Sequence, residues 1–189
     1  LPLPLFHLAT WLSLATQFAD GTAIWYVPFA LGLVLGLWWG PRILPALYLN
    51  ALLSIPLWGL DWRWAPVYAL PETLGVGLAW LLLRRRVFDV ALPDVAHLLR
   101  FMLLGVLLPA LLVSLGLQAN LWFSDHLATG DVVAASAALW LADSLTALVI
   151  ATPLLTYLSP WLRRRGWLRA GRGEGLEQVP AILKQLPPW

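Results

Sequence analysis

The stretch WLADSLTALVIATPLL, residues 140–155, decides the class of fold because it is long, apolar and carries a single charged residue, Asp143. A carboxylate in a run of this kind is costly if the helix is surrounded by hydrocarbon. Ionisable residues inside membrane helices usually face the interior of a bundle, a partner or a water-filled cavity. The surrounding chain must therefore show whether this is a membrane helix and what the aspartate does in it.

The composition of the whole chain favours a membrane protein. Its 189 residues are 60% hydrophobic and only 12% charged, whereas soluble domains carry about 25% charged residues. The mean hydropathy is +0.77. A water-soluble fold of this length cannot bury so much apolar surface, so the sequence predicts one compact membrane domain.

Stretches of about 20 apolar residues are needed to cross a bilayer. We therefore predict an all-α, polytopic membrane helical bundle of about six transmembrane helices. Internal prolines do not argue against these helices, because neighbouring helices can satisfy the carbonyl groups that proline leaves free. The predicted spans are residues 2–19, 24–40, 42–60, 65–83, 93–118 and 132–160.

Arginines predict how the bundle is oriented. Arg42 follows the second span, residues 84–86 (RRR) follow the fourth, and residues 163–165 (RRR) follow the sixth. These are alternate connections and lie on one side, which the positive-inside rule assigns to the cytoplasm. Both termini are then cytoplasmic. The opposite connections carry mostly acids: Asp20, Asp61, Asp125 and Asp131.

Several classes of function are disfavoured. The chain has no cysteine, and His7, His97 and His126 show no metal-ligand spacing, so we expect no metal and no cofactor. No hydrolase, P-loop or zinc-protease motif is present, so we expect no catalytic residues and no enzyme. The pI of 9.4 reflects arginines beside apolar segments, which indicates lipid headgroups rather than nucleic acid as the partner.

Two acids lie inside predicted spans and are candidates for function. Glu72 shares a helix face with Tyr68, and Asp143 is placed near mid-membrane beside Ser144, with Asn50 at a similar depth in the third span. These side chains either converge on a pocket that opens outward or hold the helices together by hydrogen bonds. The spacing of Gly32, Gly36 and Gly40 indicates close helix packing.

Two motifs carry a resemblance to a known family. IWYVPFALGLVLGLWWGPRILPALYLNALL, residues 24–53, is similar to an entry motif followed by an apolar helix, a Gly-Arg turn and a second helix. LWLADSLTALVIATPLLTY, residues 139–157, is similar to a closing Trp-x-x-Gly-Asp-x-x-Gly…Pro helix. In this order they resemble the MASE1 domain, a bacterial integral-membrane sensor module, over about residues 5–160. Trp25, Asp143 and Pro153 match the family pattern.

The resemblance implies a signal-input domain of the bacterial inner membrane. Its last helix would pass a cue to a cytoplasmic histidine kinase or diguanylate cyclase effector in the same polypeptide, in a possible homodimer. Residues 1–160 would be the sensor, and residues 161–189 a basic juxtamembrane linker that is too short to be the effector. The start at Leu1 suggests a trimmed sequence. The candidate ligand or switch residues are Asp143, Glu72, Asn50, Trp25, Ser144 and Tyr68, and the ligand itself is undefined.

A second class of function fits the same composition. Substrate-binding membrane subunits of small-molecule uptake transporters also have about six helices in a chain of similar length, with a pocket near the outer face. The two hypotheses predict different partners for the domain. A sensor would be fused to a kinase or cyclase, whereas an uptake subunit would work with a pair of ATPase subunits.

Overall fold

The computed structural model describes residues 2–19, 22–84 and 88–168. Within them the chain is a helical bundle, as predicted. Its α-helices are α1 (Pro2–Leu14), α2 (Val27–Trp39), α3 (Leu44–Ser54), α4 (Ala65–Arg84), α5 (Val95–Arg100), α6 (Leu108–Phe123), α7 (Val132–Pro153) and α8 (Ser159–Arg164). Two π-helical segments, Phe101–Leu107 and Leu154–Leu158, join α5 to α6 and α7 to α8.

In the described part of the chain, four helical runs are long and apolar enough to cross a membrane: Val27–Trp58, Trp62–Arg84, Val95–Phe123 and Val132–Arg164. The first of these contains two helices. Gly40 has φ 75°, a conformation that side chains rarely adopt. A Cβ placed on Gly32 in α2 would lie 3.2 Å from Leu47 in α3. In one straight helix these two residues would be about 22 Å apart, so the chain folds back at Gly40.

The predicted span 2–19 is wrong at its C-terminal end. The helix ends at Leu14, and Gln17–Ala19 pairs antiparallel with Thr22–Ala23. The sequence DG at 20–21 is a strong signal for a hairpin. The backbone N–H of Val27 donates to Ser13 Oγ at 2.9 Å, which fixes the start of α2 beside the end of α1. The fifth predicted span also ended too early, because its helix continues from residue 118 to Phe123.

Small residues let the central helices pack closely. Helix α4 packs against α3 and α6, α2 packs against α7, and α7 packs against α6. A Cβ on Gly36 would lie 3.2 Å from Val76 in α4, and a Cβ on Gly75 would lie only 2.4 Å from Val113 in α6. The glycines of α2 and α4 therefore serve packing, as the spacing predicted. The fully buried core includes Phe6, Phe29, Leu33, Leu47, Phe101 and Leu155.

The outer surface of the bundle is apolar. Large hydrophobic side chains are exposed along the outward faces of the helices, which suits contact with lipid chains rather than water. Trp11 is among them, whereas Trp140 turns inward and donates its indole N–H to the carbonyl oxygen of Leu107 at 2.9 Å. Other exposed members are Leu8, Leu12, Leu74, Leu103, Leu145 and Val149.

Candidate functional site

A small cavity of about 60 Å³ lies between the helices. Its polar and aromatic wall is formed by Tyr26, Trp58, Tyr68, Glu72 and Asp143. These residues come from the start of α2, the end of the segment after α3, the first half of α4 and the middle of α7. The cavity therefore extends from the end of the bundle at which α2 and α4 begin, which we call the cavity end, to the middle of α7. A volume of this size accommodates more than one water molecule.

Aliphatic side chains complete the cavity. Ala51 and Ile55 come from α3 and the turn that follows it, Val113 and Leu117 from α6, and Leu139 from α7. Leu139 and Asp143 are four residues apart on α7, so they face the same side of that helix. The cavity is therefore mostly apolar, with two carboxyl groups facing into it.

Glu72 is held by one hydrogen bond. It is 5% exposed, and its Oε2 accepts a hydrogen bond of 2.8 Å from the hydroxyl group of Tyr26. Its other oxygen, Oε1, has no hydrogen-bond partner among the described residues. Tyr26 also contacts Trp58 edge to face, with 5.8 Å between the ring centroids. The phenol thus positions the carboxyl group of Glu72 and leaves one of its oxygens unsatisfied.

Asp143 is more deeply buried than Glu72. It is 1% exposed, and its Oδ1 has no hydrogen-bond partner in the described part of the chain. Hydrogen bonding between helices was one of the two roles predicted for these polar side chains, but neither Asn50 nor Ser144 donates to Oδ1 of Asp143. A buried polar group without a partner costs about 1–3 kcal/mol, and more if it is charged. Such a group is a candidate for ligand binding.

Tyr68 lies one helical turn before Glu72, as its spacing predicted. It is 4% exposed, and its hydroxyl group shares a short hydrogen bond of 2.5 Å with Ser124 Oγ. Ser124 in turn donates to the carbonyl oxygen of Asn120 at 2.8 Å. Tyr68 therefore ties α4 to the end of α6 beside the cavity. Tyr68, Glu72 and Asp143 are the predicted residues that the structure brings together.

Three predicted residues lie away from the cavity wall. Asn50 is fully buried, but its Nδ2 donates to Thr10 Oγ1 at 3.1 Å, so it joins α3 to α1. Ser144 is buried beside Asp143 and its Oγ has no described partner. Trp25 is 42% exposed and its side chain is not part of the cavity lining. The neighbouring Tyr26 lines the cavity instead.

Two polar side chains were not among the predicted site residues. Tyr26 is partly buried and lines the cavity, and a tyrosine at the start of an apolar span can donate to a carboxylate. Gln118 in α6 is 1% exposed, and neither of its amide atoms has a described partner. A glutamine within the apolar run of α6 was the available signal.

The opposite end of the bundle carries most of the described arginines, and we call it the basic end. The guanidinium group of Arg84 stacks over Trp80, and a Cβ on Gly40 would lie 3.5 Å from the indole nitrogen of Trp80. Arg42 follows directly in sequence. The arginines after the second and fourth predicted spans thus lie at the same end. Arg85 and Arg86, which complete the predicted RRR cluster, are outside the described residues.

An ion pair fixes the last helix at the basic end. The guanidinium group of Arg163 donates to both carboxylate oxygens of Asp89. Partial burial raises the pKa of Asp89, but the hydrogen bonds from Arg163 and from the backbone N–H of Ala91 outweigh it and hold the pKa below the usual aspartate range. The indole N–H of Trp38 donates to Ser159 Oγ at 2.8 Å. We call these two contacts the α8 clasp.

Helix α7 connects the two ends. The run Val132–Arg164 is helical over 33 residues, and it carries Asp143 in the cavity and Arg163 in the α8 clasp. The fold and the site together define a multi-helix membrane domain with a buried polar site and one helix leading from it to the basic end.

The comparisons with known proteins agree with this class. The MASE1 family profile matches residues 3–186, nearly the whole chain, so the chain belongs to the MASE1 family of membrane-associated sensory domains. No curated protein and no solved structure gave a match. The match includes most of residues 161–189, the predicted linker, of which the structure describes only the part up to Leu168.

Proposed function

We propose that this chain is the input domain of a signalling protein of the bacterial inner membrane, in which a cue acts at the cavity that contains Glu72 and Asp143. The observation that carries the proposal is the position of Asp143. It is buried in the cavity, and it belongs to the helical run that ends at Arg164. A change of charge or occupancy at Asp143 would therefore act directly on the last helical run of the described residues, Val132–Arg164.

The proposal includes six membrane crossings with both termini in the cytoplasm. It is supported by the reversal at Gly40, which makes two helices of the first apolar run, and by the arginines at the basic end. With reporter fusions at Trp62 and Asp125, we expect both positions to report the periplasm. A cytoplasmic signal at either position would contradict this topology.

We propose a cytoplasmic histidine kinase or diguanylate cyclase in the same polypeptide as the effector, with homodimerisation as the way in which two effector domains meet. The family is sensory, and α8 ends at the basic end in Arg163 and Arg164. Basic residues at the end of a membrane helix bind anionic headgroups, so they would fix the height at which the helix leaves the bilayer.

The cavity size favours a sensor over an uptake subunit. Sites for drug-sized ligands have volumes of roughly 300–1,000 Å³, whereas this cavity is about 60 Å³. A transported vitamin would not fit without a large rearrangement. A sensor only needs a ligand small enough to bias two packings of the same helices.

The test is effector output from the full-length protein carrying Asp143→Asn. Asparagine keeps the size of the side chain but cannot ionise. We expect at least a fivefold change in basal or stimulated output, measured as autophosphorylation or cyclic dinucleotide formation. Ser144→Ala is the matched control, because Ser144 is buried next to Asp143 but is not part of the cavity lining. A correctly folded Asp143→Asn protein with unchanged output would refute the proposal.

A further inference from the structure

The cavity contains two carboxyl oxygens that nothing in the described structure satisfies. Oε1 of Glu72 and Oδ1 of Asp143 belong to side chains that are 5% and 1% exposed. Both side chains line the same space. Tyr26 satisfies only the second oxygen of Glu72. The cavity therefore contains two buried hydrogen-bond acceptors without donors among the described residues.

The charged residues of the lining indicate the sign of the charge that a ligand would carry. Among the described residues, the lining includes two acids and no lysine, arginine or histidine. Two carboxylates that share a site of low dielectric repel each other, and each is costly without a counter-charge. A cation between them would remove the repulsion and supply the missing donors. An anion would meet two acids and no positive group.

The remaining lining indicates an organic cation rather than a metal ion. The aromatic rings of Tyr26, Trp58 and Tyr68 contribute to the wall, together with aliphatic side chains such as Ile55 and Leu117. Aromatic faces attract ammonium groups, and aliphatic side chains suit a short alkyl chain. Calcium and magnesium require six or more oxygen ligands, and within the described ranges no three His, Cys, Asp or Glu residues are grouped to hold a metal.

We propose that the cavity binds a small primary alkylammonium ion, with its ammonium group between Glu72 and Asp143 and its alkyl chain against Trp58 and the aliphatic wall. The inference rests on the proposed function for the role of the cavity, but binding itself requires no effector. About 60 Å³ limits the ligand to a few non-hydrogen atoms, so a dissociation constant in the millimolar range is expected.

Ethylammonium chloride is the probe for a direct binding experiment. The complete chain is purified into lipid nanodiscs and titrated by calorimetry, with thermal unfolding as a second readout. We expect saturable binding and a rise in the unfolding temperature. Ethanol, which is similar in size but uncharged, should show neither effect at the same concentration, and sodium chloride at matched ionic strength should have no saturable effect. Equal effects of ethylammonium and ethanol, or no binding of ethylammonium, would overturn the proposal, as would saturable binding of sodium instead.

Substitutions then locate the site. Glu72→Gln and Asp143→Asn keep the size of each side chain and should each weaken ethylammonium binding at least tenfold. Asp125→Asn is the control, because Asp125 is an exposed acid in the segment that follows α6 and its substitution should leave binding unchanged. Wild-type affinity in both cavity variants would overturn the assignment. If a variant does not fold, the comparison of ethylammonium with ethanol on the wild-type chain still tests whether the chain binds an alkylammonium ion.

The two proposals can fail separately. Ethylammonium binding that leaves effector output unchanged at saturation would refute the signalling role and keep the binding site. Output that depends on Asp143 in a chain that does not bind ethylammonium would refute the ligand class and keep the signalling role.

Discussion

The two ends of the bundle differ in how completely their acidic side chains are paired. At the basic end, Asp89 is paired with Arg163, and Trp38 donates to Ser159. At the cavity end, one oxygen of Glu72 and one of Asp143 have no partner among the described residues. Both ends are part of the same bundle, and α7 with its continuation to α8 reaches from one to the other.

This difference separates two physical roles. Paired polar groups offset their desolvation and fix the geometry of the helices that carry them. Unpaired buried acceptors keep a cost of about 1–3 kcal/mol each. A donor or a cation bound at the cavity end would remove that cost. At the basic end, the contacts of Arg163 and Ser159 hold α8 in place without any ligand.

The largest effect on the stability of the domain is expected at the close contact between α4 and α6, because this contact supports the cavity. A Cβ on Gly75 would lie 2.4 Å from Val113 Cγ2 and 3.2 Å from the carbonyl oxygen of Pro109. We expect Gly75→Ala to destabilise the domain by about 1–3 kcal/mol, the usual cost of overpacking, measured by reversible unfolding in mixed detergent.

Gly77→Ala is the matched control on the same helix. Its Cβ would meet Leu44 at 3.5 Å, an ordinary contact, and alanine favours the helix by up to about 1 kcal/mol. The control should therefore be neutral or slightly stabilising. Equal stability of the two variants would show that α4 and α6 do not approach as closely as described.

Much of the fold could be predicted from the sequence because it depends on local pattern. The apolar runs and the arginine positions predicted a helical membrane domain, and the glycine spacing predicted close packing of the helices. The reversals were harder to predict. The end of the first helix at Leu14 rather than residue 19 depends in part on a hydrogen bond between residues distant in sequence, from the backbone N–H of Val27 to Ser13.

The site was predicted in part for a similar reason. Glu72 and Tyr68 line the cavity together because residues four apart share a helix face. Asn50, Ser144 and Trp25 each lie next to a lining residue: Ala51, Asp143 and Tyr26. One residue along a helix turns the side chain by about 100°. The sequence predicts where a residue lies along its helix, but the rotation of each helix is set by packing against its neighbours.

The next effect in size tests whether the unpaired carboxyl group of Asp143 is a cost. We expect Asp143→Leu to raise the free energy of unfolding by about 1–3 kcal/mol, because the buried carboxyl oxygen without a partner costs about this much and leucine removes that cost. The same variant should lose signalling. Asp125→Leu, at an exposed position, should change stability by less than about 0.5 kcal/mol. A destabilised Asp143→Leu domain would mean that Asp143 holds the helices together.

A smaller loss of stability is expected when the hydrogen bond between α2 and α8 is removed. Trp38→Phe removes the indole N–H that donates to Ser159 while keeping an aromatic ring. A loss of about 0.5–1.5 kcal/mol is the usual value for one hydrogen bond, measured by the same unfolding assay. Trp62→Phe is the control, because Trp62 is 71% exposed. If both variants behave alike, the bond to Ser159 does not stabilise the basic end.

The smallest effect is expected for the ion pair of the α8 clasp. The side chains of Arg163 and Asp89 are 16% and 29% exposed, so solvent screens their attraction. A double-mutant cycle with Asp89→Asn and Arg163→Gln should give a coupling of about 0.5–1 kcal/mol. The pKa of Asp89 is lower in the folded domain than in the unfolded chain. The ionised carboxylate therefore stabilises the fold fully above the unfolded pKa of about 4, and this stabilisation is lost as the pH falls through the pKa of the folded domain. The coupling should therefore be constant between about pH 5 and 7 and decline only below about pH 4. A coupling that disappeared already at pH 6 would show that another titrating group controls the clasp, and it would remove the contrast between a paired basic end and an unpaired cavity end.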